Sequence, residues 1–276
     1  IQPLYLGHTD AWVDYSHGVR LVRRMMMANG KPAAVPEVLA DAERCALLSD
    51  EGPITHARYG ESFSAATATA VTRPATETTE ELRFEPGVRV LLNSPARLDP
   101  ATPVRLVLFA APAGNTIEHT IGRRLRPGDD WHFDIQHIGA QTRWLRARGG
   151  ESNLVVAYLQ ADERSFVLWR RKHADHAARI VGIVDALRQR FSAPKIVLAG
   201  HSAGGGFTFG YLDGVDRIPD DIERIAFLDS NYAYDAAKGH ATKLAQWLRA
   251  AEAHRLVVLA YEDHVALLNG KTFVSC

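Results

Sequence analysis

A run of apolar residues that leads straight into a cluster of glycines constrains this chain more than any other segment. Residues 195–206 read Lys-Ile-Val-Leu-Ala-Gly-His-Ser-Ala-Gly-Gly-Gly. The apolar part is typical of a strand buried on both faces of a parallel sheet, and the small residues around Ser202 are typical of a tight turn from a strand into a helix. The segment therefore predicts an α/β fold.

The same turn makes Ser202 a candidate nucleophile. In the pattern Gly-x-Ser-x-Gly, Gly200 and Gly204 lack the β-carbons that would collide in so sharp a bend. The backbone N–H of Ala203 is expected at the N-terminus of the next helix, where negative charge is stabilised. The alternative is a glycine-rich turn whose serine has no chemical role. A strand before Ser202 and a helix after it favour the nucleophile.

Strand-like runs alternate with helical periods from Leu82 onward. A hairpin is predicted for residues 82–84 and 88–92 around the turn Glu85-Pro86-Gly87. Apolar residues that recur every three to four positions between Ala177 and Phe191 predict a helix that packs on the sheet. The predicted parallel strands are residues 104–110, 154–159, 195–199, 224–228 and 256–261. This alternation predicts an α/β fold with a mostly parallel sheet flanked by helices.

The chain divides by composition into three segments. Residues 1–61 lack the α/β rhythm and are predicted to be part of an upstream domain. Residues 62–81 are rich in Ala, Thr and Glu, bury little, and are predicted to be a linker. Residues 82–276 are predicted to form the α/β domain. Because the chain begins with Ile1 and ends without a polar tail, we expect a partial polypeptide whose last domain is incomplete at its C-terminus.

Composition excludes several classes of function. The 32 basic and 32 acidic residues balance, so no basic surface for nucleic acid is predicted. The longest apolar runs fall well short of the roughly 20 residues that cross a bilayer, which predicts a soluble chain. Cys45 and Cys276 lie far apart and predict neither a disulfide framework nor a cysteine-based metal site.

Acyl transfer by a serine also needs a second oxyanion donor and an acid that orients a base. The loop after the run 104–110 offers a backbone N–H at Gly114 or Asn115. Two acids follow strands at the edge where parallel sheets bind ligands, and of these Asp263 is preferred over Asp229. Either aspartate could instead cap a helix or hydrogen-bond a loop.

The base is the least determined part of this site. The chain order Ser, acid, His requires a histidine after the acid, and only His264 follows Asp263. Adjacent residues of a loop rarely face each other as a triad requires, so we expect the catalytic histidine to lie beyond Cys276. The arrangement Ser202, Asp229 and His264 fits within the chain, and His240 is a weaker third candidate for the base.

The segment Gly200-His201-Ser202-Ala203-Gly204-Gly205, with predicted strands on both sides and an oxyanion-type loop after Phe109, resembles the α/β-hydrolase superfamily of esterases, lipases and peptidases. The resemblance covers roughly residues 82–276. It implies that Ser202 is acylated by an ester or amide substrate, that the Ala203 N–H stabilises the oxyanion, that Asp263 holds the histidine, and that no cofactor is needed. Two departures are Ala111-Pro-Ala-Gly-Asn in place of the usual His-Gly segment and the lack of a well-placed histidine.

Two alternatives stay open. A hydrolase-like module that binds a ligand or partner without catalysis would also fit a chain that lacks the histidine. Within residues 131–137, His132, Asp134 and His137 are expected either to line a substrate pocket or to alternate along an exposed segment.

Overall fold

The chain divides into two compact units. The computed structural model describes residues 25–28, 31–48, 53, 77–230, 233–260, 267–268 and 271–272. One unit comprises residues 20–74, and the other comprises residues 1–19 and 75–276. In the smaller unit the described elements are an antiparallel pair of strands, Met25–Ala28 and Lys31–Ala34, a short helix, Val35–Ala40, and a 3-10 turn, Cys45–Leu47.

The larger unit is built on a seven-stranded sheet. In chain order its strands are β1 (Glu77–Phe84), β2 (Val88–Pro95), β3 (Val104–Ala110), β4 (Asn153–Ala161), β5 (Lys195–His201), β6 (Ile222–Leu228) and β7 (Arg255–Leu259). Their spatial order is β1-β2-β4-β3-β5-β6-β7. The pairs β1–β2 and β2–β4 are antiparallel, and the remaining four pairs are parallel. This confirms the predicted mostly parallel sheet and the predicted hairpin.

Helices pack on both faces of this sheet. They are α1 (Ile117–Ile121), α2 (Ile138–Ala147), α3 (Phe166–Lys172), α4 (His176–Arg188), α5 (Gly205–Gly214) and α6 (His240–Ala250). Alternate residues of a strand point to opposite faces, so Leu106 and Leu108 of β3 join the core beneath α3 to α6, whereas Phe109 joins a second cluster with Ile117 of α1. The central strands β3, β4 and β5 are largely hydrophobic because both of their faces are covered.

The predicted helix before β5 is observed as α4. Its residues Ile180, Val184 and Leu187 are fully buried, as the apolar period required. Among the described residues, no helix is long and apolar enough to cross a membrane.

The first strand begins earlier than the composition indicated. Residues 77–81, which were predicted to end a linker, pair with β2 from Glu77 opposite Pro95 onward. The strand lies at the edge of the sheet and is largely exposed, so it needs few apolar side chains. Glu77 also forms ion pairs with Arg143 (3.1 Å) and Arg146 (3.2 Å) of α2. An edge strand rich in Thr and Glu therefore has the composition of a linker without being one.

Candidate active site

Ser202 lies at the turn between the central strand β5 and helix α5. His201 ends β5, residues Ser202–Gly204 form one 3-10 turn, and Gly205 begins α5. Ser202 has a φ of 51°, in the left-handed region, and its side chain is partly exposed. A residue with a β-carbon costs about 1–3 kcal/mol in such a conformation, and strain of this kind clusters at functional sites.

The glycines on either side of Ser202 are required by close contacts. A β-carbon on Gly204 would lie 2.2 Å from the carbonyl oxygen of Ala110, the last residue of β3. A β-carbon on Gly200 would lie 2.7 Å from the carbonyl carbon of Gly204. The turn therefore folds tightly on itself and packs directly on the end of the neighbouring strand, for the steric reason that the sequence indicated.

The strand order and the helices on both faces define the architecture. It is the mostly parallel α/β sheet flanked by helices that the resemblance to α/β-hydrolases implies. No protein-family model matches the sequence, and no curated protein matches it.

Several solved structures are similar to this chain at low identity and low TM-score. A cold-adapted esterase from an Arctic intertidal metagenomic library is 15% identical over 56% of this chain and 60% of its own, with a TM-score of 0.34. A feruloyl esterase module from Clostridium thermocellum, complexed with sinapinate, is 13% identical over 66% of this chain and 65% of its own, with a TM-score of 0.41. A thermostable esterase is 14% identical over 67% of this chain and 54% of its own, with a TM-score of 0.38. The chain spans about 60% of the length of the first of these esterases. At such identities and TM-scores the matches carry nothing about activity.

Replacing Gly204 with alanine is expected to destabilise the fold by about 3 kcal/mol, because the new methyl group overlaps the backbone of β3 and neither backbone can move freely. Thermal and urea unfolding measure the effect. Gly182→Ala is the matched control, since its β-carbon meets nothing within 4 Å on an exposed face of α4 and should stabilise the helix by up to about 1 kcal/mol. Equal stabilities of the two variants would contradict the tight packing of the turn.

In the loop after β3, the two backbone N–H groups predicted as oxyanion donors already donate hydrogen bonds within the fold. The Gly114 N–H donates to the Arg164 carbonyl (2.9 Å), and the Asn115 N–H donates to the Pro112 carbonyl (3.3 Å), so both amides are occupied. The Ala111 N–H donates to the Leu159 carbonyl, and Pro112 has no N–H. Ala113 is exposed, and its N–H has no hydrogen-bond partner within the described part of the chain. Ala113 is therefore the residue of this loop whose N–H we consider as the second oxyanion donor in the proposed function below.

Asp229 follows β6, the strand next to β5. It is 2% exposed, has a φ of 48°, and donates its backbone N–H to the carbonyl of Leu259 on β7 (2.6 Å). The next residue, Ser230, packs on the start of α5, where a β-carbon on Gly205 would lie 2.0 Å from the Ser230 carbonyl oxygen. A buried carboxyl group is thus carried on a strained turn that touches the helix after Ser202. Asp263 and His264 lie outside the described residues.

His240 is occupied in a structural role. The ring is fully buried, its Nδ1 accepts a hydrogen bond from the Asp235 N–H (3.0 Å), and its Nε2 lies 2.8 Å from Asp213 Oδ1. Both ring nitrogens are therefore used, and a base that accepts a proton from Ser202 needs a free one. The weaker prediction of His240 as the base is wrong for this reason.

The histidines between α1 and α2 pair with nearby acids. Residues Trp131–Asp134 form a 3-10 turn in which His132 Nδ1 lies 2.5 Å from Asp130, and His137 Nε2 lies 2.7 Å from Asp134. The described residues contain no group of three or more His, Cys, Asp or Glu side chains that could hold a metal ion.

One contact joins this segment to the turn that carries Ser202. The Gln136 side-chain nitrogen lies 2.6 Å from Nδ1 of His201, the residue immediately before Ser202. Burial lowers the pKa of His201 and so favours its neutral ring. Nothing in the local sequence around Gln136 predicts this contact, because its partner is on a distant strand.

Proposed function

We propose that the chain is a serine hydrolase that cleaves an ester or amide through an acyl-enzyme at Ser202. The observation that carries the proposal is the left-handed backbone of Ser202, at 51°, on a tight turn after the central strand. Such a turn holds the hydroxyl at the carboxyl edge of the sheet, where substrates bind to α/β folds. The buried glycine contacts explain how the rest of the structure keeps the serine in this conformation.

The residues around Ser202 suit the two steps of the reaction. The Ser202 oxygen attacks the carbonyl carbon while a base accepts its proton, and the carbonyl oxygen becomes an oxyanion that the N–H groups of Ala203 and Ala113 stabilise. The tetrahedral intermediate collapses, and the departing alcohol or amine receives the proton. Water then attacks the acyl group, which leaves as the acid and restores the serine.

The proposed reaction also needs a base for Ser202 and an acid that orients this base. Asp263 with a histidine beyond the chain was the preferred prediction, and the pair Asp229 and His264 is the alternative. The buried position of Asp229 next to the serine turn supports the alternative. Both aspartates are kept as candidates for the acid that orients the imidazole.

Reaction with a fluorophosphonate tests the function. The wild-type chain is expected to form one covalent adduct, which peptide mapping by mass spectrometry places on Ser202, and Ser202→Ala is expected to remain unlabelled. The same assay on Asp229→Asn and Asp263→Asn identifies the acid, because the loss of the orienting carboxylate lowers the rate by roughly a thousandfold or more. A chain extended beyond residue 276 that still fails to react would favour the non-catalytic binding module.

A further inference from the structure

The segment between α1 and α2 is tied down at both of its ends. A β-carbon on Gly122, the residue after α1, would lie 2.7 Å from the Cα of His137, so the two ends of the segment cross closely. The Arg123 N–H donates to the Phe133 carbonyl (2.9 Å), and Gln141 of α2 donates to the Gln136 carbonyl (3.0 Å). Gln136 is therefore presented to His201 by a fixed backbone.

The hydrogen bond to His201 restricts the protonation of its ring. An amide nitrogen is a donor only, so the contact at 2.6 Å makes Nδ1 of His201 an acceptor and leaves the ring proton on Nε2. The alternative orientation of the amide would place its oxygen on Nδ1 and reverse these roles. In either orientation the ring is held in one position directly before Ser202.

Gln136 is a poor choice for stability at this position. Its side-chain oxygen is buried and has no hydrogen-bond partner among the described residues. Turning the amide over would leave the nitrogen unpaired instead. A buried polar atom without a partner destabilises a fold, and an apolar side chain of similar size would avoid the penalty. Unlike an apolar side chain, the Gln136 amide can form a hydrogen bond with His201.

We propose that Gln136 is a positioning residue for Ser202, acting through the His201 side chain. By holding the imidazole, Gln136 fixes the last residue of β5 and hence the direction in which the strained backbone of Ser202 presents its hydroxyl. This inference rests on the proposed function of Ser202 as a nucleophile. Small displacements of a nucleophile reduce rates by large factors, which is the effect expected when this support is removed.

Two readouts on Gln136→Leu test the inference together. The rate of fluorophosphonate labelling is expected to fall at least about tenfold, because the hydroxyl is less well positioned. The melting temperature is expected to change little, because removal of the unpaired buried oxygen offsets the loss of the hydrogen bond to His201. Gln136→Met, which keeps the length of the side chain, serves as a second variant if the leucine does not fit. Asp134→Ala is the matched control: it removes a hydrogen bond to a histidine in the same segment without touching His201, and its labelling rate should equal that of wild type.

Three outcomes would overturn the positioning role of Gln136. A labelling rate of Gln136→Leu or Gln136→Met equal to that of wild type would overturn the inference while leaving the proposed function intact. A rate that falls together with the melting temperature would show an ordinary structural role and would also overturn it. If neither this chain nor one extended beyond residue 276 reacts, the proposed function fails and this inference fails with it.

Discussion

Replacing Ser202 with glycine is expected to remove hydrolytic activity and at the same time to stabilise the fold. Loss of the hydroxyl removes the nucleophile, so kcat/KM for an activated ester should fall by roughly a thousandfold or more. Glycine adopts a φ of 51° without steric penalty, so the free energy of unfolding should rise by about 1 kcal/mol once the backbone strain is relieved. Ester hydrolysis and urea unfolding are measured on the same preparation.

Ser202→Ala is the control that separates these two effects. It also removes the hydroxyl, but its β-carbon keeps the strain, so its stability should match wild type while its activity matches that of the glycine variant. A glycine variant no more stable than the alanine variant would mean that the left-handed conformation is not strained. Retained activity in both variants would exclude Ser202 as the nucleophile.

Removing the carboxylate of Asp213 is expected to destabilise the protein by about 3–5 kcal/mol. Asp213 on α5 is only 6% exposed and accepts hydrogen bonds from groups on three neighbouring α-helices and on the 3-10 turn Ala236–Lys238. Its oxygens lie 2.5 Å from Arg170, 2.8 Å from His240, 2.9 Å from Lys238 and 3.3 Å from His176. Asp213→Ala would leave the guanidinium of Arg170, itself only 10% exposed, without its carboxylate partner. Urea unfolding at neutral pH measures the loss.

The effect of Asp213 should depend on pH in a defined direction. Burial alone would raise the pKa of its carboxyl group, but hydrogen bonds from Lys238 and His240 and the charge of Arg170 hold that pKa well below its usual range. A depressed pKa stabilises the fold at every pH above the ordinary value of about 4, and this stabilisation is lost as pH falls below it. The stability difference between wild type and Asp213→Ala should therefore narrow in acid.

Asp185→Ala provides the matched control for this cluster. Asp185 pairs with Arg188 on α4, but its side chain is 44% exposed, so its loss should change stability by less than about 1 kcal/mol. If the two aspartate variants were equally stable, the buried cluster would not hold the helices together. A difference that stayed constant down to strongly acidic pH would contradict the depressed pKa of Asp213.

Local patterns were sufficient to predict most of the sheet and the helix α4. The five parallel strands were recognised by their apolar runs, which in β3, β4 and β5 reflect burial on both faces. Helix α4 was recognised because its buried residues recur at helical spacing. The start of β1 was missed because an exposed edge strand is stabilised by backbone pairing and not by apolar side chains. Amino-acid composition reflects how much of a segment is buried, and residues 77–81 are largely exposed.

Local patterns were sufficient to predict only some of the residues of the candidate site. Ser202 and its flanking glycines were recognised because the steric demands of a tight turn act over a few neighbouring residues. Gln136 and the Asp213 cluster were not recognised, because their partners lie on other elements. His240 was considered as a base from its place in the chain, and its burial against Asp213 excludes that role.

The sequence by itself determined that a serine follows a buried strand on a turn too tight for β-carbons at Gly200 and Gly204, since these requirements concern bonded neighbours and local packing. The tertiary structure alone decided which amides of the loop after β3 are already hydrogen-bonded within the fold. The Gly114 N–H is taken by the carbonyl of Arg164, whereas the Ala113 N–H has no partner in the described part of the chain. Whether a donor is free depends on acceptors that folding brings from distant parts of the chain, and no local pattern records them.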